Sequence, residues 1–187
     1  MKVSDEPEGV GVNPANGDVY VTCEEKGEVY AIAPDQQRVL AKIDTSGRPR
    51  SVTFLPDGSR SYVACENGGY IAVIDTASRK LLAKIQLPKG SLPMGTTISA
   101  DGKELFVSTG HANTVALIDT RTNAVSATIL VGSRPWGIAL TPDGSKLYSA
   151  NGASDDVSVI DVRARKELNR IKVGNGPWGM TVVSIGK

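Results

Sequence analysis

Apolar and polar positions alternate along this chain in short runs that break at turn-forming residues. Gly137 to Thr141 is an apolar run opened by Pro135-Trp136, and Pro142-Asp143-Gly144 closes it. Proline presets its own φ and glycine accepts positive φ, so the triplet is turn chemistry. Lys146 to Ala150 follows at hairpin spacing, and beyond Asn151 to Asp156 comes Val157-Ser158-Val159-Ile160, rich in β-branched residues. Asp161 to Lys166 turns the chain again, and Glu167 to Val173 ends the unit before Gly174-Asn175-Gly176. The pattern predicts four antiparallel strands joined as a meander, and no helical periodicity longer than about ten residues competes with it.

The unit recurs at a nearly constant step. Pro7, Pro49, Pro93, Pro135 and Pro177 are successive copies of one position, 42, 44, 42 and 42 residues apart, and Tyr20, Tyr62, Phe106 and Tyr148 step by 42, 44 and 42. A period near 42 with four short apolar runs per copy is a sign of propeller blades or a similar array. The expected fold is therefore all-β: a β-propeller of four-stranded antiparallel meander blades. One domain over 1–187 is expected, with blades at 7–48, 49–92, 93–134 and 135–176 and a partial repeat over 177–187, which makes four blades plus one extra strand. That count suits a fragment of a larger ring. An open arc, a compact four-blade ring and a homo-oligomer assembled between chains are the closures it allows.

Polarity also ranks the strands. Val73-Ile74 and Val159-Ile160 show little alternation, as expected of strands covered on both faces. The fourth strand carries Lys42, Lys84 and Arg170 at one repeated position, a device that blunts an exposed sheet edge.

Charge then excludes some functions. The 21 basic and 20 acidic side chains give a net charge of +1 without clustered Lys and Arg, which argues against a nucleic-acid or anionic-membrane surface. No stretch approaches the ~20 apolar residues of a membrane span, so no membrane insertion is expected. Met1-Lys2-Val3-Ser4-Asp5 lacks the apolar core of a signal peptide. Cys23 and Cys65 stand one repeat apart, too far for a disulfide between neighbouring blades, and are read as buried thiols.

Candidate chemistry lies where the copies diverge. Between the repeated Pro and Gly stand Glu8, Arg50, Met94, Trp136 and Trp178, on the loop face at the head of the innermost strand. Arg134, His111 and Asn151 join them from neighbouring loops, and these eight residues are the expected site for a protein or small-molecule partner. The two tryptophans allow a second reading as wedges between blades. His111 is the only histidine and cannot supply a zinc shell of three or four N/S ligands. Asp155 and Asp156 with the Asn151 carbonyl come nearest to an oxygen-ligand calcium set. Neither set is assigned a metal, no cofactor is expected, and the pairs Glu24-Glu25 and Asp155-Asp156 are read as solvated.

The motifs Tyr20-Val21-Thr22-Cys23, Tyr62-Val63-Ala64-Cys65, Phe106-Val107-Ser108-Thr109 and Tyr148-Ser149-Ala150-Asn151 resemble the YVTN β-propeller repeat, with the Asn retained only in the last. Pro135-Trp136-Gly137, Pro177-Trp178-Gly179 and Asp156-Val157-Ser158-Val159-Ile160-Asp161 look most similar to the propellers associated with PQQ-dependent catabolism. The resemblance covers nearly the whole chain. It implies a seven-blade ring, a periplasmic or extracellular location and a setting beside quinoprotein oxidation.

Two functions compete on this reading. One is a non-catalytic binding or scaffolding propeller; the other is a metal-dependent, lactonase-like hydrolase. The mixed series Glu8, Arg50, Met94, Trp136, Trp178 lacks the repeated acids of a channel metal site, so the non-catalytic protein is the expectation.

Overall fold

The 42-residue unit is realised as sixteen strands and no helix in a computed structural model that describes residues 2–183. Blade 1 holds β1 (Pro7–Val12), β2 (Val19–Cys23), β3 (Glu28–Ala33) and β4 (Arg38–Asp44); blade 2 holds β5 (Pro49–Phe54), β6 (Arg60–Cys65), β7 (Tyr70–Asp75) and β8 (Lys80–Gln86). Blade 3 holds β9 (Pro93–Ile98), β10 (Glu104–Thr109), β11 (Thr114–Asp119) and β12 (Ala124–Leu130); blade 4 holds β13 (Pro135–Leu140), β14 (Lys146–Asn151), β15 (Asp156–Asp161) and β16 (Lys166–Lys172). Each blade is one antiparallel sheet with strands in chain order, and together they form a partial β-propeller. The chain divides into two compact units, Met1–Thr96 and Thr97–Lys187.

Side chains set the turns. In the hairpins after the innermost strands, Asp57 Oδ1 accepts from Ser59 N at 2.9 Å and Asp143 Oδ1 from Ser145 N at 3.0 Å. Such Asx turns let a short side chain replace a backbone acceptor. The turn into each outer strand works alike: Asp75 Oδ1 accepts from Ser78 N at 2.7 Å and Asp161 Oδ1 from Ala164 N at 2.9 Å. That turn ends at a non-glycine residue of positive φ in every blade, namely Gln37, Arg79, Asn123 and Arg165, and a bulge two or three residues later shifts the pairing. Thr76 and Thr120 lace the two turns of their blades together, their hydroxyls donating at 2.6 Å to the carbonyls of Gly58 and Gly102.

Within the first unit, blades 1 and 2 share a core of Tyr20, Val29, Ile43, Val52, Phe54, Val63, Tyr70 and Ile74, in which Tyr20 meets Phe54 edge-on at 5.0 Å. In the second unit Phe106, Leu117, Ile129, Ile138, Leu147 and Ile160 form the equivalent core. Each such side chain contributes about 1.5–3 kcal/mol by burial. The third strands are almost wholly buried, as expected, and the fourth strands are the more exposed, alternating in blades 2 and 3. The fourth-strand lysines do more than blunt an edge: Lys84 Nζ lies 4.4 Å above the Tyr70 ring and donates to its hydroxyl at 3.0 Å, and Lys42 lies 5.2 Å above Tyr30. Cys23 and Cys65 are buried free thiols, and burial pushes Cys65 up to about 11.

One expectation is corrected. Residues 177–183 form no strand, because their only backbone bond to a neighbouring strand runs from Gly137 N to Trp178 O at 2.9 Å, and a ladder needs successive bonds. Residues 184–187 lie outside the described residues.

Candidate functional site

Each copy fastens the residue between Pro and Gly to the copy before it. The Arg50 carbonyl accepts from Thr22 Oγ1 at 2.9 Å, the Met94 carbonyl from Ser51 Oγ at 2.6 Å, the Trp136 carbonyl from Ser108 Oγ, and the Trp178 carbonyl from Gly137 N at 2.9 Å. The residue before the proline is also fixed. Glu6, Arg48, Leu92 and Arg134 all take positive φ, between 47° and 62°, a conformation that strains a side-chain-bearing residue by about 1–3 kcal/mol. In three of them this geometry turns the carbonyl toward the loop joining the second and third strands: Glu24 N, Glu66 N and Gly152 N donate to the carbonyls of Glu6, Arg48 and Arg134 at 3.0–3.1 Å. These two loops of a blade therefore form one rigid surface at the heads of the innermost strands.

In the first unit this surface is ionic. Arg50 Nη2 pairs with Glu8 Oε1 at 3.1 Å, and Arg50 Nη1 pairs with Glu24 Oε1. Arg48 Nε donates to Glu24 Oε2 at 2.6 Å. Glu66 Oε2 completes the cluster, 3.7 Å from each guanidinium. Glu24 has only 5% of its side chain exposed, so both of its oxygens depend on the arginines. Three carboxylates against two guanidiniums leave the cluster one negative charge in excess. Burial raises the Glu8 carboxyl above its ordinary value, the Arg50 charge opposes this, and Glu24 beside it adds to the rise. The fold thus favours the protonated form of Glu8. Arg50 Nε and Glu66 Oε2 are buried without a hydrogen-bond partner. A cavity of about 750 Å³ opens alongside, lined by Glu24, Lys26, Asp44, Ser46, Arg48 and Asn67; Glu8 and Arg50 lie beyond its lining.

In the second unit the same positions are aromatic and cationic. Trp136 and Trp178 meet edge-on at 6.3 Å, and the Arg134 guanidinium lies 5.1 Å from the Trp136 ring centroid. Trp178 is 53% exposed and Trp136 is half-buried, so the reading of both rings as buried wedges does not hold.

The expected site residues separate into groups. Glu8 and Arg50 come together in the first unit, and Arg134, Trp136 and Trp178 in the second. Met94 is buried, offering its carbonyl to Ser51. His111 is exposed on the loop between β10 and β11. Asn151 is fully buried and spends its amide internally, donating to Asp156 Oδ1 and Ser158 Oγ at 2.8 Å each. Its nitrogen rather than its carbonyl faces Asp156, and Asp155 Oδ1 accepts from Gly176 N, so no calcium set forms there. Among the described residues no three His, Cys, Asp or Glu side chains are placed to hold a metal ion.

The sequence reading missed Glu24, Arg48 and Glu66. It took Glu24 as solvated, whereas Glu24 is buried and only its neighbour Glu25 is exposed. A signal was present: Glu24 and Glu66 each follow the repeated cysteine, 42 residues apart.

Similarity to known proteins follows the fold. The family model for "Lactonase, 7-bladed beta-propeller" matches residues 10–175. Among solved structures the chain is similar to Kuenenia stuttgartiensis hydrazine synthase (TM-score 0.83, 21% identity, covering 91% of this chain and 50% of that one). It is similar to a functionally unknown protein from Desulfotomaculum acetoxidans DSM 771 (TM-score 0.79, 19% identity, 96% and 60%). It is also similar to virginiamycin B lyase from Staphylococcus aureus (TM-score 0.80, 19% identity, 94% and 59%). The chain spans about half to three-fifths of the length of these structures. No curated protein matches it. The lactonase match overturns the expectation of a protein that is not an enzyme, since it assigns the chain to an enzyme-related propeller family. That expectation compared one position across all copies and passed over acids that meet from different loops of two neighbouring copies. The chain belongs to the seven-bladed β-propeller lactonase family.

Proposed function

We propose that the protein opens a cyclic ester, with the ionic cluster of the first unit as its reacting site. The observation that carries this reading is the Glu8 carboxyl, raised by burial and by Glu24 while held 3.1 Å from Arg50. Ester-ring opening needs a proton for the departing ring oxygen and positive charge for the oxygen that becomes anionic when water adds to the carbonyl carbon. Glu8, whose carboxyl burial shifts toward the protonated form, supplies the first from the cluster beside the cavity. Arg48, with 43% of its side chain exposed beside the cavity, supplies the second. Arg50 is a positioning residue that aligns Glu8 against Glu24. The added water gives up its other proton to a carboxylate of the cluster, and the product is the ring-opened hydroxy acid.

The YVTN resemblance extends this reading to a periplasmic or extracellular location beside quinoprotein oxidation. Oxidation of a cyclic hemiacetal yields a lactone, so a lactone-opening protein consumes the product of such a step.

The test is pH-stat titration of γ- and δ-lactones with the full-length protein. Hydrolysis above the buffer rate is expected, with Glu8→Gln lowering it at least about a hundredfold, the lower end of the range for loss of a general acid. Absence of turnover across the lactones, or a Glu8→Gln variant as active as its parent, overturns the reading.

A further inference from the structure

The heads of blade 4 and of residues 177–183 bring two indole rings and one guanidinium onto a single ledge within the second unit. Trp178 is 53% exposed and meets the half-buried Trp136 at 72° between ring planes. Arg134 stacks on the far partner of this pair, 5.1 Å from the Trp136 centroid.

The ledge is held from several sides. Ser108 Oγ donates to the Trp136 carbonyl, and the Trp136 ring lies so close to Gly152 that a Cβ there would come within 3.0 Å of it. Trp178 is tied through its carbonyl to Gly137 N at 2.9 Å. Arg134, at φ 56°, donates its N–H to Asn113 Oδ1 at 2.8 Å and accepts from Gly152 N at 3.0 Å. Groups fixed in advance lose little freedom when a ligand arrives, which favours binding.

Charge narrows the ligand. Among the described residues Arg134 makes no ion pair, whereas on the equivalent surface of the first unit Arg48 pairs with two carboxylates and Arg50 with three. Its planar fork therefore keeps donors for an external anion, and a carboxylate matches that fork with two parallel bonds. Shape narrows it further. Two rings set nearly at right angles form an open corner rather than a slot, so a flat aromatic ligand finds one face only. A pyranose chair places its C–H face on an indole while its hydroxyls stay in water.

We propose that Arg134, Trp136 and Trp178 form a binding subsite for a saccharide ring bearing a carboxylate, a uronate, with the sugar's apolar face on Trp178 and the carboxylate on Arg134. The site is independent of the ester-opening reading and stands or falls without it.

The chain contains only two tryptophans, both on the ledge, so its intrinsic fluorescence reads this site directly. Titration of the full-length protein with tri-galacturonate is expected to give a saturable change, with maltotriose giving none at the same concentrations and ionic strength. Arg134→Gln is expected to weaken binding at least tenfold, Arg134→Lys less, and Trp178→Ala to abolish it with an unchanged melting temperature. Should Arg134→Gln lower the melting temperature, the comparison rests on Arg134→Lys and Trp178→Ala. The proposal fails if tri-galacturonate gives no saturable change, if maltotriose binds equally well, or if benzoate binds and the uronate does not.

Discussion

Glu8 and Arg50 occupy the same position of successive repeats, 42 residues apart, and touch as an ion pair at 3.1 Å. Trp136 and Trp178 repeat that relationship, as ring against ring, at 6.3 Å. Both contacts follow from one backbone feature, the carbonyl of the residue between Pro and Gly fastened to the preceding copy. The scaffold thus places neighbouring copies of this position side by side and leaves the chemistry to the residue types.

Removing Arg50 tests how far the ionic cluster depends on it. Glu24 is almost fully buried and shared between two guanidiniums, and loss of one partner from a buried pair costs about 3–5 kcal/mol. Arg48 remains, so Arg50→Met is expected to cost about 3–4 kcal/mol, in the lower part of that range. Urea unfolding measures it. Adding Glu24→Gln should recover part of the loss, because the stranded charge is then gone; a double variant no more stable than Arg50→Met would contradict this account.

Glu8 makes the stability of the fold depend on pH with a definite sign. Its folded-state value lies above the ordinary 4.5, chiefly through burial, so the fold favours the protonated carboxyl. The stability that results is complete below pH 4.5 and is lost as pH rises through the higher folded value. Glu8→Gln lacks this loss. Its melting temperature should therefore gain on that of the parent between pH 4 and the plateau above the folded value, and a difference that stays flat or narrows over that interval refutes the assignment.

Much of this architecture was legible in the sequence because local choices repeat. The aromatic of the second strand and the β-branched third strand recur at the same step in all four copies, Pro-Asp-Gly closes the first strand in two of them, and the sixteen strands follow from these signals. The site was half legible. Glu8, Arg50, Trp136 and Trp178 stood out by diverging at a repeated position, but the partners of Arg50 did not. Glu24 and Glu66 look like solvated loop acids until the positive-φ residues Glu6 and Arg48 turn their carbonyls onto the loop and draw it under the arginines. Asn151 failed the other way: it looks like a displayed amide, yet Asp156 and Ser158 claim it.

The turn aspartates set the acid limit. Hydrogen bonds from the Ser99 hydroxyl and Lys103 N–H hold Asp101 down at about 2, and those from Thr141 and Ser145 hold Asp143 at about 2. A depressed carboxyl contributes stability that is present above its unfolded value of 3.8 and lost as pH falls through the folded value. Stability should erode between about pH 4 and pH 2. Asp143→Asn keeps an acceptor for the turn but has no charge to lose, so the difference between it and the parent should shrink over that interval. A constant difference by circular dichroism would remove Asp143 from the account.

Gly137 tests the fastening of Trp178 itself. A Cβ at this position would stand 2.8 Å from the Trp178 carbonyl oxygen, 2.9 Å from Gly179 Cα and 3.1 Å from Met180 N. All three are backbone atoms that cannot rotate aside as a flexible side chain would. Gly137→Ala should therefore push residues 177–183 away from β13 and lengthen the bond from Gly137 N to Trp178 O, at the cost of about 1–3 kcal/mol usual for overpacking. In a Trp136→Phe background, where Trp178 is the only fluorophore of its kind, the substitution should red-shift the emission and increase acrylamide quenching. Gly174→Ala is the control, since a Cβ there meets nothing within 4 Å. If Gly137→Ala leaves Trp178 as protected as Gly174→Ala does, the carbonyl bond is not what holds the ring in place.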